Sequence, residues 1–361
     1  MQSRHRRIGF RIAAVVGATV FSLAVAEVVL LLLGVNNDYR ESGASILLPR
    51  PGGPTELSEC GHVPYATIRL QFPTNPRRYF GADNIIDHTL NSVGWRDDEH
   101  TLKKPAGTFR ILGLGDSYLF GQGVKPNDRC LDGLPTRLKS HWPKTRFETI
   151  NAGQPGFNTV QELNSLKRCG WNYDPDLVIL HFVPNDIEAD IYTNKPKVEF
   201  FTEYTTGFLG TDWLSQHSEI CALARRKIWG KIKGRAYIRE SIDSFVSQPE
   251  KWESSRGAMA EIANQCRQHD VGFLVVVFPF FINLDGDYPF QPIHDRVKQF
   301  CAESKIPCLD LRDNFRRYSG PELWVHPVDQ HPNETAHRLA ADAIADFIVK
   351  NRDELHLPQP R

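Results

Sequence analysis

Several common signatures are missing from this chain. Lys and Arg number 43 together, and so do Asp and Glu, so no excess of positive charge draws the chain onto nucleic acid. None of the seven cysteines falls in a CxxC pair or in a Cys/His spacing suited to zinc, which argues against a structural zinc site. Neither Gly-Lys-Ser nor Gly-Lys-Thr occurs, so there is no P-loop. The glycine-rich stretch FRILGLGDSYLFGQG, Phe109 to Gly123, fails two further tests. A dinucleotide loop would need a third glycine at 118, where Tyr118 stands, and an α/β-hydrolase elbow would need one at 119, where Leu119 stands. What remains is an apolar run that breaks abruptly at Gly-Asp-Ser.

With 361 residues, 41% hydrophobic and 24% charged, the chain can hold an anchor plus one large domain or two small ones. Arg4, Arg6, Arg7 and Arg11 precede a run from Ile12 to Val35 whose only ionisable residue is Glu27. Such a run is long enough to cross a bilayer as a helix, and basic residues on its leading side place the N-terminus in the cytoplasm. Residues 1–35 therefore read as a signal-anchor, crossing the membrane once through residues 12–33, with the rest extracytoplasmic. The competing reading is a cleaved signal peptide, with Ile12 to Ser22 as its apolar region and Ala24-Val25-Ala26 as its cleavage pattern. Cleavage there would leave VVLLLLG near the mature end, which favours the anchor. Glu27 would cost about 3 kcal/mol if charged at the centre of the span. It marks either a helix partner or a protonated or snorkelling side chain. All the cysteines follow the anchor, in a compartment where disulfides form, and their odd number leaves at least one unpaired or bonded to another chain.

Residues 36–105, rich in Pro, Gly and Asn, read as an extracytoplasmic stalk and accessory region of irregular or hairpin structure. From there short β-branched or apolar runs at 109–114, 146–151, 177–183, 272–278 and 308–311 alternate with helical stretches at 129–141, 159–170, 251–269, 292–304 and 334–350. Continuous apolar strands separated by helices imply a parallel sheet covered on both faces. The fold class is thus α/β, a three-layer α/β/α sandwich whose ligands bind at the carboxyl ends of the strands. Residues 187–250 interrupt the alternation as an insertion, aromatic first (Tyr192, Phe200, Phe201, Tyr204, Phe208, Trp213) and basic between Arg225 and Arg239. The insertion is either a lid with a surface for an anionic glycan or lipid headgroup, or a subdomain with its own core and a solvated helix face.

Ser117 at the mouth of the first strand could be a nucleophile, which demands a base and an oxyanion hole from later strand ends. Those ends carry Asn151-Ala-Gly-Gln-Pro-Gly156, Pro184-Asn185-Asp186 and Asp329-Gln-His331-Pro-Asn333. Gly-Asp-Ser alone is weak, being made of ordinary turn formers. With the four blocks in order, residues 105–350 resemble the SGNH (GDSL-type) hydrolase family, and NSVGWRDDEH followed by KPAGTFRI resembles its membrane-anchored members.

The resemblance implies a flavodoxin-like SGNH domain over 106–352, with no cofactor and no metal. It implies that Ser117 Oγ attacks an ester carbonyl and that His331 takes its proton and returns it to the leaving alcohol. The Ser117 and Gly156 N–H groups and the Asn185 amide would then hold the oxyanion. Two positions depart from the family pattern. Val183 stands where G-x-N-D has glycine, and Val328 stands where D-x-x-H has its acid, leaving Asp329 as the available substitute. The expected activity is an esterase acting on an acylated glycan or lipid, an O-acetylated polysaccharide first. Rival readings are an acyltransferase using the same acyl-enzyme, zinc held by His326, Asp329, His331 and His337, and a non-catalytic binding protein on the same fold.

Overall fold

A computed structural model describes residues 2–39, 44–187, 214 and 217–359. The chain divides into two compact units, one of residues 1–42 with 199–237, the other of residues 43–198 with 238–361. In the first, Gln2–Leu33 is a single helix. Within its stretch His5–Leu33 an 18-residue segment has a mean hydropathy of 2.4 with none of it buried, so the helix is long and apolar enough to cross a membrane. The basic run of the insertion lies on the helix Glu219–Ser247. The aromatic residues Tyr192, Phe200, Phe201, Tyr204, Phe208 and Trp213 lie outside the described residues.

The second unit opens with three antiparallel strands, β1 (Ala44–Leu48), β2 (Thr67–Gln71) and β3 (Ile85–Thr89), in the order β1-β2-β3. Ile68 and Leu70, two apart on β2, face the same side with Ile86 of β3. They share a core with Phe72, Phe80 and Leu90, and with Phe120, Val124 and Val325 from later in the chain. The Pro- and Gly-rich region thus packs onto the α/β domain.

That domain is built on β4 (Thr108–Gly115), β5 (Arg146–Asn151), β6 (Leu177–Phe182), β7 (Gly272–Val277) and β8 (Cys308–Asp310). All pair in parallel, in the order β5-β4-β6-β7-β8. Every residue of β4, β6 and β7 is buried, as a sheet covered by helices on both faces requires. The covering helices include Thr159–Arg168, Pro249–Gln268, Gln291–Glu303 and Glu334–Lys350. In order of appearance the strands run 2-1-3-4-5, the flavodoxin-like arrangement, which puts the ligand crevice at the carboxyl ends of β4 and β6, where the winding reverses. The helix expected over 129–141 is only Leu134–Lys139, because Pro135 is tolerated in a first turn and not in a helix interior. A disulfide joins Cys60 to Cys169, 109 residues apart.

Candidate active site

β4 ends at Gly115, where a Cβ would lie 2.8 Å from Leu119 Cβ and 3.0 Å from His181 Cβ. Without that atom the chain turns at once into the short helix Ser117–Phe120, capped by Asp116, whose carboxylate accepts the Tyr118 N–H at 2.8 Å. Gly-Asp-Ser is therefore a strand-to-helix turn at the winding reversal, with Ser117 8% exposed. Asn151, at the end of β5, secures the turn from the side. Its amide donates to Leu119 O at 2.9 Å and its oxygen accepts the Gly153 N–H at 3.0 Å.

The segment NSVGWRDDEH holds the far end of the turn. Arg96 is buried, and its guanidinium donates to the carbonyls of Phe120, at 2.9 Å, and of Gly121 and Val124. The Phe120 carbonyl is one that the end of a short helix leaves unpaired, and those of Gly121 and Val124 belong to the turn that follows, where Gly121 O also accepts the Val124 N–H at 3.2 Å. Asp97 accepts the Asn151 N–H at 2.8 Å and an Arg129 N–H at 3.1 Å. Trp95 is wholly buried and donates to Cys60 O at 3.0 Å.

His331 arrives on a two-stranded ribbon of β9 (Trp324–His326) and β10 (Asp329–Pro332). Residues two apart on an extended strand point to the same side, so Asp329 and His331 face each other without the third residue of a D-x-x-H spacing. Asp329 Oδ1 lies 2.5 Å from His331 Nδ1 and also accepts the His331 backbone N–H at 3.1 Å. A carboxylate can only accept, so Nδ1 carries the proton and Nε2 is left as the acceptor for Ser117 Oγ, 2.8 Å away. Gln122 donates to the other Asp329 oxygen at 3.3 Å. The Asp329 side chain is 1% exposed and that of His331 22%.

Burial raises the Asp329 carboxyl, but His331 beside it outweighs this and holds it below the usual range. Burial lowers the His331 imidazole, and Asp329 more than compensates, so its pKa lies above the ordinary value. Asp116 is raised because burial exceeds the help it receives from the Tyr118 N–H, Asn185 and His331.

Asn185 stands in a 3₁₀ turn, Pro184–Ile187, after β6, a turn closed by Asp186 accepting the Val183 N–H at 2.8 Å. Val183, in the family's glycine position, is fully buried. Asn185 Nδ2 donates to Asp116 Oδ2 at 3.1 Å, so Asn185 is tied to the residue before Ser117, and its second N–H can serve another acceptor. Gly156 sits in the turn Gln154–Phe157, closed by Phe157 N–H to Gln154 O at 3.1 Å, with φ 72° directly after Pro155. Proline followed by a residue of positive φ is the type II pattern, and glycine fills it without strain. Among the described hydrogen bonds none links Gly156 to Ser117.

The structure thus brings Ser117, His331 and Asp329 into one hydrogen-bonded line and ties Asn185 to it through Asp116. The other two histidines face elsewhere. His326 Nε2 meets Thr74 Oγ1 at 3.0 Å and its Nδ1 accepts the Val328 N–H at 3.2 Å, while His337 Nδ1 accepts the Cys130 N–H at 3.2 Å. Asp116, Gln122 and Arg96 are site residues that motif reading leaves without a part. Only the position of Asp116 before a helix start could have pointed to its capping role. The arrangement can carry a proton from a serine hydroxyl to a carboxylate-supported imidazole.

The family profile described as GDSL-like Lipase/Acylhydrolase matches residues 114–339, well over half of the chain. No curated protein sequence matches it. Solved structures similar to it include an acetylxylan esterase from Geobacillus stearothermophilus, in a catalytic mutant, at 16% identity over 66% of this chain and 94% of that one, TM-score 0.39. Another is a two-domain esterase active on acetylated mannans, at 19% identity over 70% of this chain and 52% of that one, TM-score 0.39. A third is a psychrotrophic esterase from Pseudoalteromonas sp., at 13% identity over 68% of this chain and 98% of that one, TM-score 0.40.

Proposed function

This chain belongs to the GDSL-like lipase/acylhydrolase family, and from that premise we propose that it is a serine esterase removing O-acyl groups, O-acetyl first, from a glycan on the extracytoplasmic side of a membrane. Ester hydrolysis comes with the family; the nucleophile, acyl group, substrate and compartment are the proposal.

The observation that carries the mechanism is the unbroken line from Asp329 through His331 to Ser117, at 2.5 and 2.8 Å. Ser117 Oγ attacks the ester carbonyl as His331 Nε2 takes its proton, and Asp329 steadies the imidazolium so formed. The tetrahedral oxyanion receives the Ser117 and Gly156 backbone N–H groups and the free N–H of Asn185, which Asp116 holds in orientation. Collapse expels the alcohol, protonated from Nε2, and leaves an acyl-serine. Water, deprotonated by the same nitrogen, then releases the acid and restores the hydroxyl.

The compartment is supported by the arginines ahead of the apolar helix and by the Cys60–Cys169 disulfide, which suits an oxidising environment. A domain facing outward from a membrane meets acylated glycans. The test incubates the full-length protein in detergent with O-acetylated polysaccharide and, separately, with a diacyl phospholipid. Acetate release that Ser117→Ala abolishes is expected. Fatty-acid release alone would replace the glycan with a lipid, and neither product would defeat the proposal.

A further inference from the structure

Glu27 is the only ionisable residue between Ile12 and Val35, and in the structure it has partners. Its carboxylate accepts the Ser218 hydroxyl at 3.1 Å, the Glu219 N–H, and the Ile220 N–H at 3.1 Å. The two amides open the helix Glu219–Ser247. An acid on the apolar helix therefore caps a second helix, where unpaired N–H groups and the helix dipole both favour negative charge. Two further ties hold the same place. Asn36 donates to Glu219 O at 2.9 Å and to its carboxylate at 2.7 Å, and Arg226 donates to Val35 O at 3.0 Å.

The position of Glu27 sets a depth. It precedes Leu33, the last residue of its helix, by six positions, about 9 Å at 1.5 Å per residue. A helix start held there lies near the headgroup and acyl boundary, where interfacial helices sit about 5–10 Å deep. The composition of residues 219–237 suits that place, with six basic residues and a single acidic one, Glu219, which Asn36 engages. Ile228 and Ile232, one turn apart, are 61% and 50% exposed, and Lys227 and Arg235 are exposed beside them. Long basic side chains lay their stems along apolar surface and keep the charge at headgroup level.

We propose that residues 220–237 form a membrane-surface helix that binds anionic phospholipid headgroups beside the anchor, with Glu27 as the socket that fixes its start. The inference rests on the reading that the apolar helix spans a membrane. A soluble anionic glycan would answer the basic charge but neither the exposed isoleucines nor the depth of Glu27.

The test measures amide hydrogen exchange over residues 220–237 of the full-length protein in nanodiscs. One set of discs is phosphatidylcholine alone, the other phosphatidylcholine mixed with anionic phosphatidylglycerol. Slower exchange in the anionic discs is expected. Lys227→Gln with Arg235→Gln should remove about 25-fold of that protection, about fivefold for each charge. Unchanged hydrolysis of a soluble acetyl ester would show the double variant intact. Equal exchange in both lipids, or protection indifferent to the double variant, overturns the inference. Failure to enter the discs at all overturns the anchor reading and this inference with it.

Discussion

On the proposed mechanism Asp329 works through its bond of 2.5 Å to the far nitrogen of His331, and the pH dependence of the enzyme should report it. Only neutral imidazole accepts the serine proton. Activity therefore falls as pH drops through the His331 pKa, which Asp329 holds above its ordinary value against the pull of burial. The acid limb of kcat/KM should lie above about pH 6.5. Asp329→Asn removes the raising charge and leaves burial, so the limb should move to lower pH while kcat falls by as much as about 10⁴. A loss of about tenfold or less would mean that Ser117 and His331 work as a pair. On the proposed mechanism Asn185 acts at a different moment. There its second N–H meets charge that develops only in the transition state, so Asn185→Ala should lower kcat by about 10² to 10³ with KM little changed. A change mainly in KM would make Asn185 a substrate-binding residue. Ser117, Asn185 and His331 stand out in the sequence because each sits in a compact block. Gln122, at 3.3 Å from Asp329, has no such block, and its partner is 207 residues away.

At the scale of elements, the three inner parallel strands β4, β6 and β7 could be read in advance, because burial on both faces writes them as apolar runs, and the edge strands β5 and β8 followed from the alternation with helices. The ribbon of β9 and β10 could not be read in advance. DQHP holds two residue types that strands disfavour, and it is extended only because β9 pairs with it. That pairing is what makes a two-residue spacing between acid and base workable. The sheet of β1 to β3 was legible only as hairpin structure. The part played by WRDD was hidden for another reason: Arg96 bonds carbonyls 24 to 28 residues downstream. Leucine at this position would leave the carbonyls of Phe120, Gly121 and Val124 without their buried donor. Arg96→Leu should therefore cost about 3 kcal/mol in chemical denaturation. A cost under about 0.5 kcal/mol, typical of a surface change, would show that Arg96 does not hold the turn carrying Ser117.

At the scale of the whole molecule, one chain combines an apolar helix with a second helix capped by its Glu27, and an α/β domain with Ser117 at its winding reversal. The apolar helix and the sandwich were both legible in the sequence, the first from a run behind arginines with Glu27 as its one ionisable residue, the second from apolar strands alternating with helices. The cap on the second helix was not, since 191 residues separate Glu27 from Ser218. The central claim, an outward-facing domain whose Ser117 forms an acyl-enzyme, is tested most directly by a membrane-impermeant serine-reactive phosphonate. Intact spheroplasts and lysed cells carrying the full-length protein are treated, and the modified peptide is located by mass spectrometry. The account predicts one adduct, on Ser117, equally strong in intact and lysed samples and absent from Ser117→Ala. Labelling only after lysis would contradict the topology, and no labelling of Ser117 in either sample would contradict the acyl-enzyme.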